Sequence, residues 1–153
     1  MRAAMQIGYR IRRLLHRGLR IRTRGVKVMV FNAAGELLLV RNSYGQRHLF
    51  VLPGGGVGRR ESEETAAARE VREELGIEAG PLVLVSVHAS TGEGKRDTVH
   101  LFRAVTDATP VADGVEVEEA RFFPLDALPE RLSAATARRI EELRGTRPRD
   151  GGW

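Results

Sequence analysis

Gly55-Gly56-Val57-Gly58-Arg59-Arg60-Glu61-Ser62-Glu63-Glu64-Thr65-Ala66-Ala67-Ala68-Arg69-Glu70-Val71-Arg72-Glu73-Glu74-Leu75-Gly76-Ile77 is the stretch on which both fold and chemistry turn. Ser62 can cap a helix, Glu63 and Glu64 suit the positively polarised first turn, and Gly76 can take the left-handed conformation that ends one. A helix is therefore predicted from Ser62 to Leu75. At roughly 100° per residue, Glu70, Glu73 and Glu74 fall within about 100° of one another, on a face that Ala66 and Ala67 share. Ala68, Val71 and Leu75 form an apolar stripe expected to pin the helix to a sheet while the carboxylates face a cavity.

Like charges three and four residues apart repel, by a few tenths of a kcal/mol per pair in an isolated helix. A divalent cation would reverse that sign. Carboxylate oxygens are hard ligands suited to Mg²⁺ or Mn²⁺, and Mg²⁺ completes its octahedron with water and phosphate oxygens, so a phosphate substrate is implied. The plainer alternative is a solvated helix whose glutamates pair with Arg69 or Arg72 at the surface. Pro53-Gly54-Gly55-Gly56 is equally two-sided. It fits a strand-ending turn, and it also fits a backbone that must approach a metal–phosphate group without side chains in the way.

Outward from this segment, Val26–Phe31 and Leu37–Val40 flank the turn Asn32-Ala33-Ala34-Gly35 and predict a β-hairpin. Further strands are predicted at His48–Leu52, Val83–Val87, Thr98–Phe102 and Ala120–Phe123, and a last helix at Ala134–Leu143. The polar loop from Ser90 to Asp97 is long enough to reach over a site. Residues 145–153, with Pro148 and Gly151-Gly152, look like a flexible tail, and Trp153 is expected to be disordered there. His48 and His100 are assigned no role, and core packing is expected of Phe50 and Phe102.

The chain has 153 residues and a net charge of +5, but residues 1–25 hold eight arginines and no acid, so the remainder carries −3. Ile7, Ile11, Leu14 and Leu15 recur at helical spacing within this arm. The organisation expected is a basic amphipathic arm over 1–24, one domain over 25–144 and a tail over 145–153. Absence of cysteine excludes disulfides, thiolate-ligated metals and a thiol nucleophile. No apolar run is long enough to span a bilayer and arginines interrupt the first apolar stretches, which favours the cytoplasm.

Gly55, five residues, Glu61, seven residues, then Arg69-Glu70-Val71-x-Glu73-Glu74-x-Gly76-Ile77 resembles the Nudix box, G-x5-E-x7-R-E-U-x-E-E-x-G-U with U aliphatic, at all nine specified positions. Leu52-Pro53-Gly54-Gly55 and the order of strands extend the resemblance over roughly Gly25 to Leu143. It implies an α/β fold, the Nudix-type α/β/α sandwich with a mixed β-sheet. The reaction implied is hydrolysis of the diphosphate linkage of a nucleoside diphosphate derivative, such as a nucleoside triphosphate or nucleotide sugar, by metal-activated water.

By position, the resemblance makes Glu70, Glu73 and Glu74 the metal ligands, with the Gly54 carbonyl as a further one and Mg²⁺, or Mn²⁺, as cofactor. Arg69 would orient the glutamates, and Glu61 would support the site by a water or outer-sphere contact. Gly55, Gly56 and Arg60 are candidates for substrate contact, and Glu118 and Glu119 for substrate contact or for a general base on a later loop. Arg59-Arg60 depart from the glycine that many relatives carry before the first box glutamate, which points to altered loop shape or phosphate contacts rather than lost activity. Residues diagnostic of diadenosine polyphosphate, ADP-ribose and coenzyme A subfamilies are missing, so the nucleotide stays open. Two alternatives use the arm: RNA 5′-end pyrophosphohydrolysis, in which its arginines track the nucleic acid, and a non-catalytic nucleotide-sensing domain. The oligomeric state is open, a homodimer included.

Overall fold

The computed structural model describes residues 24–90 and 97–153. Its strands are β1 (Arg24–Phe31), β2 (Leu37–Asn42), β3 (Phe50–Val51), β4 (Val83–Ser90), β5 (Asp97–Val105) and β6 (Val117–Phe123); its helices are α1 (Glu63–Leu75) and α2 (Ala134–Leu143). Alternation along the strands divides their apolar side chains between two faces. Val26, Val28, Val30, Leu38, Val40, Phe102, Ala104 and Val117 pack with Ala66, Ala67, Val71 and Leu75 of α1. Met29, Phe31, Leu37, Leu39, Leu101 and Phe123 pack on the other face with Ile140 of α2. The result is an α/β/α sandwich.

The strands run in the order β3-β2-β1-β5-β4, with β6 on β2. The sheet is mixed because β1 and β5 are parallel, paired from Arg24↔Thr98 to Phe31↔Val105, while the β4–β5 and β2–β6 pairs are antiparallel. The predicted β1–β2 hairpin forms, but it is paired in register only at Phe31↔Leu37. Beyond that point the two strands part, and β2 takes β3 as its neighbour on that edge, through Val40↔Val51 and Arg41↔Phe50. The freed edge of β1 is met by the glycine run: the Val26 and Val28 amides donate to the Gly55 and Pro53 carbonyls at 2.9 and 3.0 Å. This fork in the sheet seats the box.

α1 has the ends that its sequence signals. The Ser62 hydroxyl accepts from the Thr65 amide, and Gly76, at φ 66°, donates its amide to the Arg72 carbonyl. Its packing face differs from the wheel expectation. Ala66 and Ala67 are in the core with Val71 and Leu75, Glu70 and Glu74 are buried with them, and Ala68 is only partly buried. The acids therefore lie at the sheet side of the helix, because the fork leaves room there for carboxylates.

Other differences are local. The strand expected over His48–Leu52 is confined to Phe50–Val51, since the Leu49 amide turns back to the Gln46 carbonyl. Phe50 and Phe102 are core residues, as expected. Of the expected arm, Arg24 is already the first residue of β1. The helix expected within residues 7–17 lies outside the described residues, as do residues 91–96 of the loop expected to overhang a site.

The segment expected as a flexible tail is packed. The Ala89 amide donates to the Gly151 carbonyl at 2.8 Å and the Trp153 amide to the Ala89 carbonyl at 3.0 Å, so it extends the edge of β4. Trp153 sits edge-on to His88 with ring centroids 5.7 Å apart. Beneath it, the buried Arg139 guanidinium is ion-paired with Glu142 at 2.8 Å. Pro148 and the two glycines suggested looseness, but the side chains that fix the segment come from β4 and α2. Removing one partner of a buried ion pair strands the other. Arg139→Met is expected to destabilise the protein by about 3–5 kcal/mol in urea unfolding, and to do so far more than Arg144→Met on the exposed end of α2.

Candidate active site

Arg69 organises the box. Its Nε and Nη2 donate to Glu61 Oε1 and Oε2 at 2.7 and 3.0 Å, a two-point fork that a planar guanidinium makes and an ammonium does not. Nη1 donates to Glu70 Oε1 at 2.7 Å and reaches Glu73 Oε2 at 3.4 Å. Nη2 also bonds the Gly56 carbonyl at 2.9 Å. The Arg69 pKa is held above the ordinary guanidinium value, first by the hydrogen bonds to Glu61 and also by the charge of Glu70 and its hydrogen bond, against the opposing cost of burial.

The structure thus brings together Glu61, Arg69, Glu70, Glu73, Glu74 and the glycine run. Glu61 was expected to support the site by a water or outer-sphere contact; its carboxylate closes the turn by accepting from the Gly58 amide at 2.8 Å and engages Arg69 directly. Glu74, only 4% exposed, accepts from the Gly54 amide at 3.1 Å. The carbonyls of Pro53, Gly55 and Gly56 are taken by Val28, Val26 and Arg69. Arg60 is exposed in the turn that precedes Glu61.

Two glycines are demanded by space. At Gly54, with φ 142°, a Cβ would stand 2.1 Å from the Val26 carbonyl oxygen and 2.9 Å from the Lys27 Cα. At Gly55 a Cβ would meet the Glu70 carboxylate, 2.6 Å from Oε1. The first contact is with backbone, whereas the second is with the end of a side chain.

Glu118 and Glu119 are not brought to this cluster. They belong to β6 rather than to a loop, and each pairs with Arg41, at 2.9 and 3.2 Å. Glu119 stands opposite Arg41 in the β2–β6 register, in step with Leu37 and Leu39 of the face packed by α2.

Two residues near the site escaped the sequence reading. Lys27 is partly buried and donates to the Leu52 carbonyl at 2.9 Å. Burial lowers its pKa, while the charges of Glu74 and then Glu70 act in the opposite direction. Its signal was a lone cation within Val26–Phe31. Arg24 pairs with Glu63 at 2.6 Å and reaches the Gly58 carbonyl at 3.3 Å, lacing β1 to the box turn. It was obscured by the arginine run in which it stands.

Among the described residues, no three acidic or histidine side chains already converge on a single point. The donor set nevertheless suits a hard divalent cation: buried carboxylate oxygens on one helical face, held by cationic and amide donors that a metal ion can replace or join.

A model of the NUDIX domain matches residues 21–143. The chain belongs to the NUDIX family. A Bacillus subtilis (strain 168) protein, provisionally named 8-oxo-dGTP diphosphatase, is 32% identical over 123 residues, 80% of each chain. An ADP-ribose pyrophosphatase of Methanocaldococcus jannaschii is 33% identical over 95 residues, 61% of this chain and 56% of that protein. Among solved structures, a MutT NUDIX hydrolase from Burkholderia pseudomallei superposes with TM-score 0.71 at 27% identity, covering 79% of this chain and 97% of the other. The protein is a Nudix hydrolase, an enzyme that hydrolyses a pyrophosphate linkage in a nucleotide derivative, and hydrolases of this family generally use a divalent metal ion.

The glycine geometry separates folding from chemistry. Gly54→Ala is expected to cost more than about 2 kcal/mol from backbone strain alone, seen as a large fall in thermal midpoint. Gly55→Ala is expected to fold, because the Glu70 side chain can yield, and to lose at least about tenfold in turnover. A Gly55→Ala protein that keeps full activity would contradict the placement of Glu70.

Proposed function

We propose that the chain hydrolyses the diphosphate linkage of a nucleoside diphosphate derivative with Mg²⁺, for which Mn²⁺ can substitute, held by Glu70, Glu73 and Glu74 and by the Gly54 carbonyl. The observation that carries this is the Arg69 network, which holds Glu70 and Glu73 within reach of one guanidinium nitrogen while Gly54 holds Glu74. When bound, the ion supplies a Lewis acid that lowers the pKa of a coordinated water and offsets negative charge on the diphosphate.

The protein's own residues supply position. Arg69 fixes the rotamers of Glu70 and Glu73, and its fork to Glu61 fixes Arg69 in turn. Glu61 is therefore a positioning residue that acts through Arg69. Gly55 leaves the volume that the Glu70 carboxylate fills. Gly55 and Gly56 let the substrate's phosphates approach the backbone, and Arg60, whose side chain is exposed at the turn, supplies a cation to meet them. Glu118 and Glu119, committed to Arg41, are given no part in the bond-breaking step. 8-oxo-dGTP and ADP-ribose, which stand in the names of the two relatives, form the natural first panel, with a canonical nucleoside triphosphate beside them.

With Mg²⁺ present, the wild type should cleave at least one member of this panel, Glu74→Gln should fall to background, and chelation should stop turnover until Mg²⁺ is restored. Glu61→Gln is expected to lose about 10–100-fold, the usual effect of disturbing a group that orients ligands. Hydrolysis in ¹⁸O-labelled water shows which phosphorus is attacked. Equal turnover by wild type and Glu74→Gln would sink the assignment.

A further inference from the structure

The segment Asp150 to Trp153 is bound far more specifically than its composition suggests. Its backbone pairs with Ala89 in β4 on both sides of that residue. Arg139 Nη1 donates to the Gly152 carbonyl at 2.7 Å, and Arg138 Nη2 to the Trp153 carbonyl at 2.6 Å. The Arg139 guanidinium also lies 5.3 Å from the centre of the Trp153 ring, within cation–π range. Arg149 and Arg147 add outer contacts, to the Val85 carbonyl and to Asp150.

At the centre is His88, only 1% exposed. Its Nδ1 lies 2.6 Å from Arg139 Nη1, and its Nε2 lies 2.7 Å from Ser86 Oγ. Arginine has donors only, so Nδ1 must be the acceptor and carry no proton. Nε2 then holds the ring's one proton and donates it to Ser86. The tautomer is fixed, and it disqualifies His88 as a base for the Ser86 hydroxyl.

We propose that residues 150–153 form a pH-sensitive clasp over the outer edge of β4, closed while His88 is uncharged and opened when His88 takes up a proton. A second proton on His88 has only Nδ1 to occupy. There it would point an N–H at the N–H of Arg139, removing an acceptor and placing two cations together in a buried space. The groups that act on His88 are Arg139 and Glu142 from α2, Asp150 and the Gly152 backbone from the clasp, and Ser86 from β4 itself, while Arg138 and Arg147 act on Arg139 beside it. Burial first, and then the Arg139 charge, lower the His88 pKa from its ordinary 6.5, while Glu142, a hydrogen bond to the Gly152 backbone and Asp150 pull it upward without reversing the direction.

A histidine depressed in this way binds protons more readily when released. The clasp's full stability is therefore present above pH 6.5, begins to fall below it, and is lost as pH drops through the depressed value. Opening would uncover the β4 edge, whose free amide and carbonyl groups can pair with another strand.

Trp153 is the chain's single tryptophan, so its fluorescence reports the clasp directly. As pH falls below 6.5, full-length protein should show a red shift in tryptophan emission and loss of protection from acrylamide, following a one-proton curve. Far-ultraviolet circular dichroism should stay unchanged over that range. His88→Gln, which cannot take up the proton, should give a signal independent of pH there. The proposal is overturned if Trp153 stays protected until the whole protein unfolds, or if His88→Gln keeps the wild-type transition.

Discussion

A single guanidinium, that of Arg69, ties the box together. It spends its donors on four partners: Glu61, Glu70, Glu73 and the Gly56 carbonyl. Two belong to the turn before α1 and two to the helix itself, so the relative position of turn and helix is set by one rigid plane. Three acids on one buried helical face would otherwise repel and turn toward water. The same arrangement lets the helix keep Ala67, Val71 and Leu75 in the core while presenting Glu70 and Glu74 at the sheet.

That arrangement needs an opening in the sheet, and the parting of β1 from β2 supplies it. Had the hairpin paired along its full length, the edge of β1 would be filled and the Pro53–Gly56 run would have nowhere to lie. Instead the carbonyls of Pro53 and Gly55 complete that edge, and Gly54 lies close enough to Val26 and Lys27 to exclude a side chain. Backbone pairing thus fixes the loop, the loop's amide fixes Glu74, and the geometry of the proposed site inherits the stiffness of the core.

A second ionic centre lies under the C-terminal segment, built from Arg139, Glu142 and His88. It resembles the Arg69 cluster in using arginine as a multi-donor hub, yet its partners are backbone carbonyls and an imidazole. A set of carboxylates attracts a cation, whereas a set of carbonyls and an aromatic ring holds a strand. The difference in partners suits one hub to the proposed metal chemistry and the other to holding residues 150–153 against β4.

The sequence by itself determined the helix, its caps, the acids on its face and the family chemistry, because these depend on spacing within a few turns of chain. Ser62, Gly76 and the box acids are legible for that reason, and so is the alternation that separates the two faces of the sheet. Only the tertiary structure decided that Lys27 stands beside Glu74, that Arg41 engages Glu118 and Glu119, and that Trp153 is anchored by His88 and Arg139. These pairs are far apart in the chain, and composition misled at the C-terminal segment, where glycines and a proline indicate looseness. Long-range contacts depend on which strand edges are left unpaired, and that was settled by where the sheet forks.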